Sequence, residues 1–278
     1  MATRLFEGKE HASCYQKFRF EPTQEIIDLI FSYVDERLHK PYGFAVDVGC
    51  GTGQNTRILS QYVKKVLGID ISEAQIEEAK KATGSPNVTY SVCPAEEVPV
   101  GDSSVDLLTA CTSAHWFNIE KFIKEVDRVL KPGGCLAFFS YFAEMEVHYK
   151  DRSEQMTEVY AEVLNSLAPY MHEKITNMRT EYKEMYETIP YPDKRSIENF
   201  GTKIRVPLSS LMGFFPTSSA FQIYLRKEPE KAKEMLRTAE ERFLRIMGTS
   251  STETEVEVWH QNLLLLASKP RRSIDLEN

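Results

Sequence analysis

The chain has 278 residues, 42% hydrophobic and 27% charged, which suits one large α/β domain with an insertion or two small domains. Lys and Arg number 34 against 41 Asp and Glu, a formal charge of -7. This balance argues against nucleic acid as a partner, because phosphate binding needs clustered cations, and the one basic cluster, Lys269 to Arg272, is broken by Pro270 and reads as a solvated tail.

An N-terminal helix is expected over Thr23 to Leu38. Phe44 to Val48 then forms a short apolar strand ending in glycines, followed by a helix from Gln54 to Tyr62. Val66 to Ile71 is the second strand. Ser72 is a candidate cap for a helix from Glu73 to Ala82, which stops near Gly84 and Pro86. Val88 to Val92 and Val105 to Cys111 are the third and fourth strands. Ile119 to Leu130 is an amphipathic helix ended by Lys131-Pro132-Gly133-Gly134, and Cys135 to Tyr141 is the fifth strand. Beyond it, helices are expected over Ser153 to Leu167, Ile175 to Tyr186, Leu208 to Phe215, Ser218 to Arg226 and Glu230 to Met247. Lys203 to Val206 reads as a sixth strand and Val256 to Ala267 as a final edge strand. Strands alternating with helices predict an α/β fold, a Rossmann-like, seven-stranded, mostly parallel sheet. The expected organisation is a single domain over 1–278. Its core is about 40–141 plus the C-terminal strands, and residues 1–38 with a helical insertion over about 142–250 form a lid on the site.

The chemistry-bearing run is Ala45-Val46-Asp47-Val48-Gly49-Cys50-Gly51-Thr52-Gly53-Gln54, at the junction of the first strand and its helix. Alternating glycines allow a sharp turn and bring a ligand close to the main chain. The spacing is neither G-x-G-x-x-G nor a phosphate-binding P-loop. Asp70 follows Gly49 by 21 residues at the end of the second strand, where a carboxylate can accept hydrogen bonds from both ribose hydroxyls of an adenosine. Cys93-Pro94-Ala95-Glu96-Glu97, just past the third strand, is placed to flank an adenine ring. Each signal alone also fits an ordinary turn; their joint order at successive strand ends favours a ligand site.

The run from about 44 to 141 resembles the class I S-adenosylmethionine-dependent methyltransferases. That resemblance implies their fold, S-adenosylmethionine as cofactor, S-adenosylhomocysteine as product and a small-molecule acceptor. It also implies cofactor-binding roles for Asp47 (near the methionine amino group), Gly49, Cys50, Gly51, Thr52, Gly53, Asp70, Ile71, Ala95, Glu96, Thr112 and Trp116. Thr112 to Trp116 match the segment lining the methyl-transfer site. Outside the core, Tyr15 to Pro22 and Ser219-Ala220-Phe221 resemble the small-molecule subgroup related to trans-aconitate methyltransferase, with Ser218 where that subgroup often has tryptophan.

Candidate catalytic residues are His115, Tyr15 and Arg19. Arg19 can pair with an acceptor carboxylate through two parallel hydrogen bonds, or instead with Glu21 or Glu25 on the surface. Tyr15 divides between acceptor contact and helix packing. His115 can act as base or orient the acceptor, and Trp116 and Phe117 can instead start the next helix. Tyr141 is placed to face the cleft. The expected activity is O-methylation of a carboxylate. The alternatives are N- or O-methylation of another metabolite with His115 as base, or a non-catalytic protein that binds the cofactor. His11, His39, His148, His172 and His260 lack ligand spacing, so no metal is expected. Five cysteines, Cys14, Cys50, Cys93, Cys111 and Cys135, lack close spacing and point to reduced thiols in a cytoplasmic protein. No run approaches 18 apolar residues and the first residues lack an apolar signal core, so neither a membrane span nor a secretory leader is expected. A monomer or weak homodimer is expected.

Overall fold

The computed structural model describes residues 5–82 and 84–271. Seven strands, β1 (Tyr42–Val48), β2 (Val63–Asp70), β3 (Val88–Val92), β4 (Val105–Cys111), β5 (Leu130–His148), β6 (Asp193–Pro207) and β7 (Glu255–Ser268), form one sheet in the order β3-β2-β1-β4-β5-β7-β6. β1 to β5 pair in parallel, and β7 lies antiparallel between β5 and β6. The mostly parallel α/β sheet expected from the sequence is the one observed.

The helices are α1 (Lys9–Phe18), α2 (Gln24–Asp35), α3 (Gln54–Leu59), α4 (Glu73–Lys81), α5 (Ile119–Val129), α6 (Ser153–Leu167), α7 (Glu173–Thr176), α8 (Met178–Thr188), α9 (Leu208–Phe214), α10 (Ser219–Lys227) and α11 (Pro229–Met247). Caps set several boundaries. Ser72 accepts from the Gln75 N–H at 3.3 Å and Asn118 from the Lys121 N–H at 3.2 Å, while Gly248 ends α11 in the left-handed conformation.

Strand alternation divides the core between the two faces of the sheet. In β5, Cys135, Ala137, Phe139 and Tyr141 join one apolar cluster, and Leu136 and Phe138 join the other. The first cluster takes in α2, α6 and α9 to α11. The second is capped by α5, whose Phe122, Ile123, Val126 and Val129 share one helical face, and by α8 through Met178, Tyr182 and Met185.

Several expectations need correction. The last strand is interior, not an edge. Leu264 and Leu266 of β7 are buried in one cluster, Leu263 and Leu265 in the other, and a strand apolar on both faces needs cover on both. The edge is β6, which begins at Asp193 rather than near Lys203 because its polar first half pairs with β7 on one side and faces solvent. β5 runs from Leu130 to His148, well past Tyr141. The helix expected over Ile175 to Tyr186 is two helices, broken at Asn177, whose φ of -99° and ψ of 18° leave the helical region. An added helix, α1, carries Tyr15. Just past its C-terminal end Phe20 stacks on Phe214 at 4.4 Å, and in its first turn the buried His11 ring sets Nε2 2.9 Å from the Thr217 carbonyl oxygen.

Between β1 and β4 the sheet order reverses, so the crevice at their carboxyl ends is where an open α/β sheet takes a ligand.

Candidate active site

Above that crevice lies a cavity enclosing about 1090 Å³ of non-atom space, open solvent at its mouth included. Its floor is the glycine turn. Gly49, Gly51 and Gly53 have φ of 64°, 55° and 85°, conformations that side-chain-bearing residues rarely adopt. A Cβ at Gly49 would sit 2.6 Å from the Ser113 Cβ, so the turn can pass beside the end of β4 only as glycine.

Asp70 locks this turn. Its Oδ2 accepts the Gly51 N–H at 2.9 Å and its Oδ1 accepts the Ser72 N–H at 2.9 Å. Burial nonetheless raises its pKa, the two backbone donors opposing that shift. A carboxylate has about four lone-pair sites, so roughly two stay free, and Asp70 lines the cavity. Beside it Gln75 is 2% exposed with neither amide atom bonded. Free acceptors on Asp70, an orphaned amide and a side-chain-free turn suit the ribose and polar tail of S-adenosylmethionine.

The middle of the cavity is lined by Tyr15, Arg19, Thr112, His115, Trp116 and Tyr141. Thr112 has a φ of 53° and donates its N–H to the Phe139 carbonyl at 2.6 Å, which turns the chain sharply off β4. The buried His115 that follows has no partner on Nδ1. Its pKa falls to about 3, first through burial and then through the nearby Arg19, Lys174 and His172 charges, so the ring is neutral. Trp116 meets Phe6 edge-on at 6.3 Å and His172 at 5.2 Å. Phe117 instead packs edge-on against Phe122 at 4.8 Å, at the start of α5.

Arg19 is half-buried, its exposure opening into the cavity. The Tyr15, Tyr141 and Phe214 rings each lie 5.2 Å from its guanidinium carbon, holding the cation without neutralising it. Nη1 donates to the Thr217 hydroxyl at 3.3 Å, and Nε is buried without a partner. No ion pair to Glu21 or Glu25 forms among the described residues.

Of the residues singled out in the sequence, Tyr15, Arg19, Gly49, Gly51, Asp70, Thr112, His115 and Trp116 come together around the cavity. Asp47 does not. It is fully buried under the turn, where its carboxylate accepts from Asn55 Nδ2 at 2.8 Å, the Thr56 hydroxyl at 2.7 Å and the Thr109 hydroxyl at 2.7 Å. There it ties β1, α3 and β4 together. Cys50 and Thr52 are buried in the turn, the Thr52 hydroxyl bonded to Gln54 Oε1 at 2.8 Å, and Gly53 caps α3. Ile71 lies outside the cavity lining, Ala95 packs in an apolar cluster, and Glu96 accepts the Asn118 N–H at 2.7 Å, bracing α5. Ser218 caps α10 by accepting the Phe221 N–H at 3.2 Å. Gln75 and Phe6 were missed. Gln75 carried one signal, a polar residue on the helix face that the alanines of α4 bury; Phe6 carried none.

Residues 46–138 match the family described as methyltransferase domain. The chain is 27% identical over 248 residues to a candidate methyltransferase of Dictyostelium discoideum, covering 87% of this chain and 86% of that protein. It is 34% identical over 101 residues to a candidate S-adenosylmethionine-dependent methyltransferase of Saccharomyces cerevisiae, covering 34% of this chain and 35% of that protein. The solved structure of a candidate type II methyltransferase from Anaeromyxobacter dehalogenans shares the fold, with a TM-score of 0.66 and 24% identity over 88% of this chain and 97% of the other. With the sheet order already established, the chain has the class I methyltransferase fold, and the matched domain and relatives indicate an S-adenosylmethionine-dependent methyltransferase.

Proposed function

We propose that the acceptor is a small molecule methylated on a carboxylate oxygen. The observation that carries this reading is Arg19, a guanidinium facing the cavity with no carboxylate partner among the described residues. Desolvated cations call for a counter-charge, and the planar fork of Arg suits a carboxylate.

The neutral His115 points the same way. A ring whose conjugate acid has a pKa near 3 is a weak base at neutral pH, whereas a carboxylate arrives already ionised. S-adenosylmethionine, when bound, supplies a methyl carbon on a positively charged sulfur, so the carboxylate oxygen forms the C–O bond as the C–S bond breaks, giving a methyl ester and S-adenosylhomocysteine with no proton moved. Asp70 and Gln75 hold the nucleoside side. Arg19 and Tyr15 orient the acceptor, His115 and Trp116 wall the reacting centre, and α1 with the helices of 153–220 cover its mouth and exclude water. Holding two reactants in line contributes about 7–11 kcal/mol. Arg19→Ala is expected to raise the acceptor KM at least tenfold and leave S-adenosylhomocysteine affinity unchanged. An unchanged KM would remove the carboxylate reading.

A further inference from the structure

The half of the cavity beyond Arg19 is walled by Leu164, Leu167, Met171, Ile175, Met178 and Phe215. Leu164 and Leu167 share one face of α6 with Tyr160, at helical spacing, and that face meets the cavity. Arg19 is the one cationic and Asp70 the one anionic side chain among the lining residues. Two more polar atoms are buried without partners, the Tyr141 hydroxyl and the Ser219 hydroxyl, and both residues line the same cavity. Buried hydroxyls are normally bonded, so these two are donors awaiting an acceptor atom.

We propose that the acceptor is an amphipathic monocarboxylic acid, its carboxylate held by Arg19 with the Tyr141 and Ser219 hydroxyls and its hydrocarbon body seated along α6. The proposal rests on the carboxylate reading above and narrows it. One carboxylate balances the one cation. A second or third, as in trans-aconitate, would be desolvated against leucine and methionine with no counter-charge. The apolar walls instead reward chain length, about fourfold in affinity per buried methylene.

The test is calorimetry on the full chain saturated with S-adenosylhomocysteine, using hexanoate, decanoate, decanol and trans-aconitate as probes, followed by mass spectrometry of methyl esters with S-adenosylmethionine. Decanoate is expected to bind about two orders of magnitude more tightly than hexanoate, to exceed trans-aconitate and decanol, and to yield the methyl ester. Trans-aconitate binding as tightly as decanoate would overturn the apolar-body proposal and leave the carboxylate reading standing. Decanol binding and reacting as well as decanoate would overturn the carboxylate reading itself. No binding of either fatty acid by protein that holds S-adenosylhomocysteine would overturn the proposal. Leu164→Trp, on the half-buried face of α6, is expected to weaken decanoate at least tenfold and spare hexanoate. Unchanged decanoate affinity in that variant would refute the seating along α6, and the chain-length series in the unaltered protein tests the same point should the variant fold poorly.

Discussion

The Gly51 N–H donates to Asp70 Oδ2 at 2.9 Å, so the carboxylate proposed to read the ribose also sets the glycine turn beside the cavity. Two functions therefore fall together when Asp70 is lost. Asp70→Ala is expected to weaken S-adenosylhomocysteine binding at least a hundredfold by calorimetry, since each charge-assisted hydrogen bond contributes about 1.5–3 kcal/mol. Affinity within threefold of the unaltered protein would contradict the ribose assignment.

Asp47 makes the opposite case. It is fully buried and accepts from Asn55, Thr56 and Thr109, so Asp47→Ala takes the acceptor from three donors, of which the Asn55 amide alone keeps a second partner, the Thr109 hydroxyl at 3.2 Å. A loss of about 3 kcal/mol or more is expected in urea unfolding, because each unsatisfied buried group costs about 1–3 kcal/mol. A loss below about 1 kcal/mol would mean the three donors find other partners.

The glycines divide by their surroundings. Gly248→Ala places its Cβ in open space at a φ of 67° and is expected to cost about 1–2 kcal/mol. Gly49→Ala adds to that strain a Cβ 2.6 Å from the Ser113 Cβ, itself held by the Ser113 hydroxyl donating to the Val48 carbonyl at 3.0 Å. Its cost is expected to exceed that of Gly248→Ala by about 2 kcal/mol, and equal midpoints in urea would refute the crowding argument.

His115 gives the fold an acid sensitivity. Its pKa is about 3 when folded, against 6.5 for the free side chain, so the unfolded chain binds the proton first. The stabilising effect is full above pH 6.5 and is lost as pH falls from 6.5 toward 3. At pH 5 the loss from this ring alone is about 2 kcal/mol. His115→Asn is expected to lose about that much less stability than the unaltered protein between pH 7.5 and 5, read as the difference in unfolding free energies. Parallel curves for the two proteins would show that the ring does not titrate on unfolding.

Strand ends and glycines were legible because local spacing encodes them; Val88–Val92, Val105–Cys111 and Ser153–Leu167 stand where periodicity puts them. The polar half of β6 was not, since an edge strand pairing on one side needs no apolar alternation. The fate of Asp47 was equally hidden. A carboxylate opening a glycine turn looks the same in sequence whether it faces a ligand or is consumed by Asn55, Thr56 and Thr109 from the layer beneath. Arg19 carried a clear charge, but its surroundings, with no carboxylate among the described residues beside it, are set by Thr217 and Tyr141, distant in the chain.

The reversed strand β7 has a consequence for diversification. The segments that wall the far half of the cavity leave β5 and loop through β6 before returning by β7, whereas the Gly49–Gly53 turn and Asp70 belong to β1 and β2. Five of the six far-wall residues, Leu164, Leu167, Met171, Ile175 and Met178, therefore lie in one contiguous stretch of chain, so substitutions there can reshape the acceptor wall while the Gly49–Gly53 turn and Asp70 stay as they are.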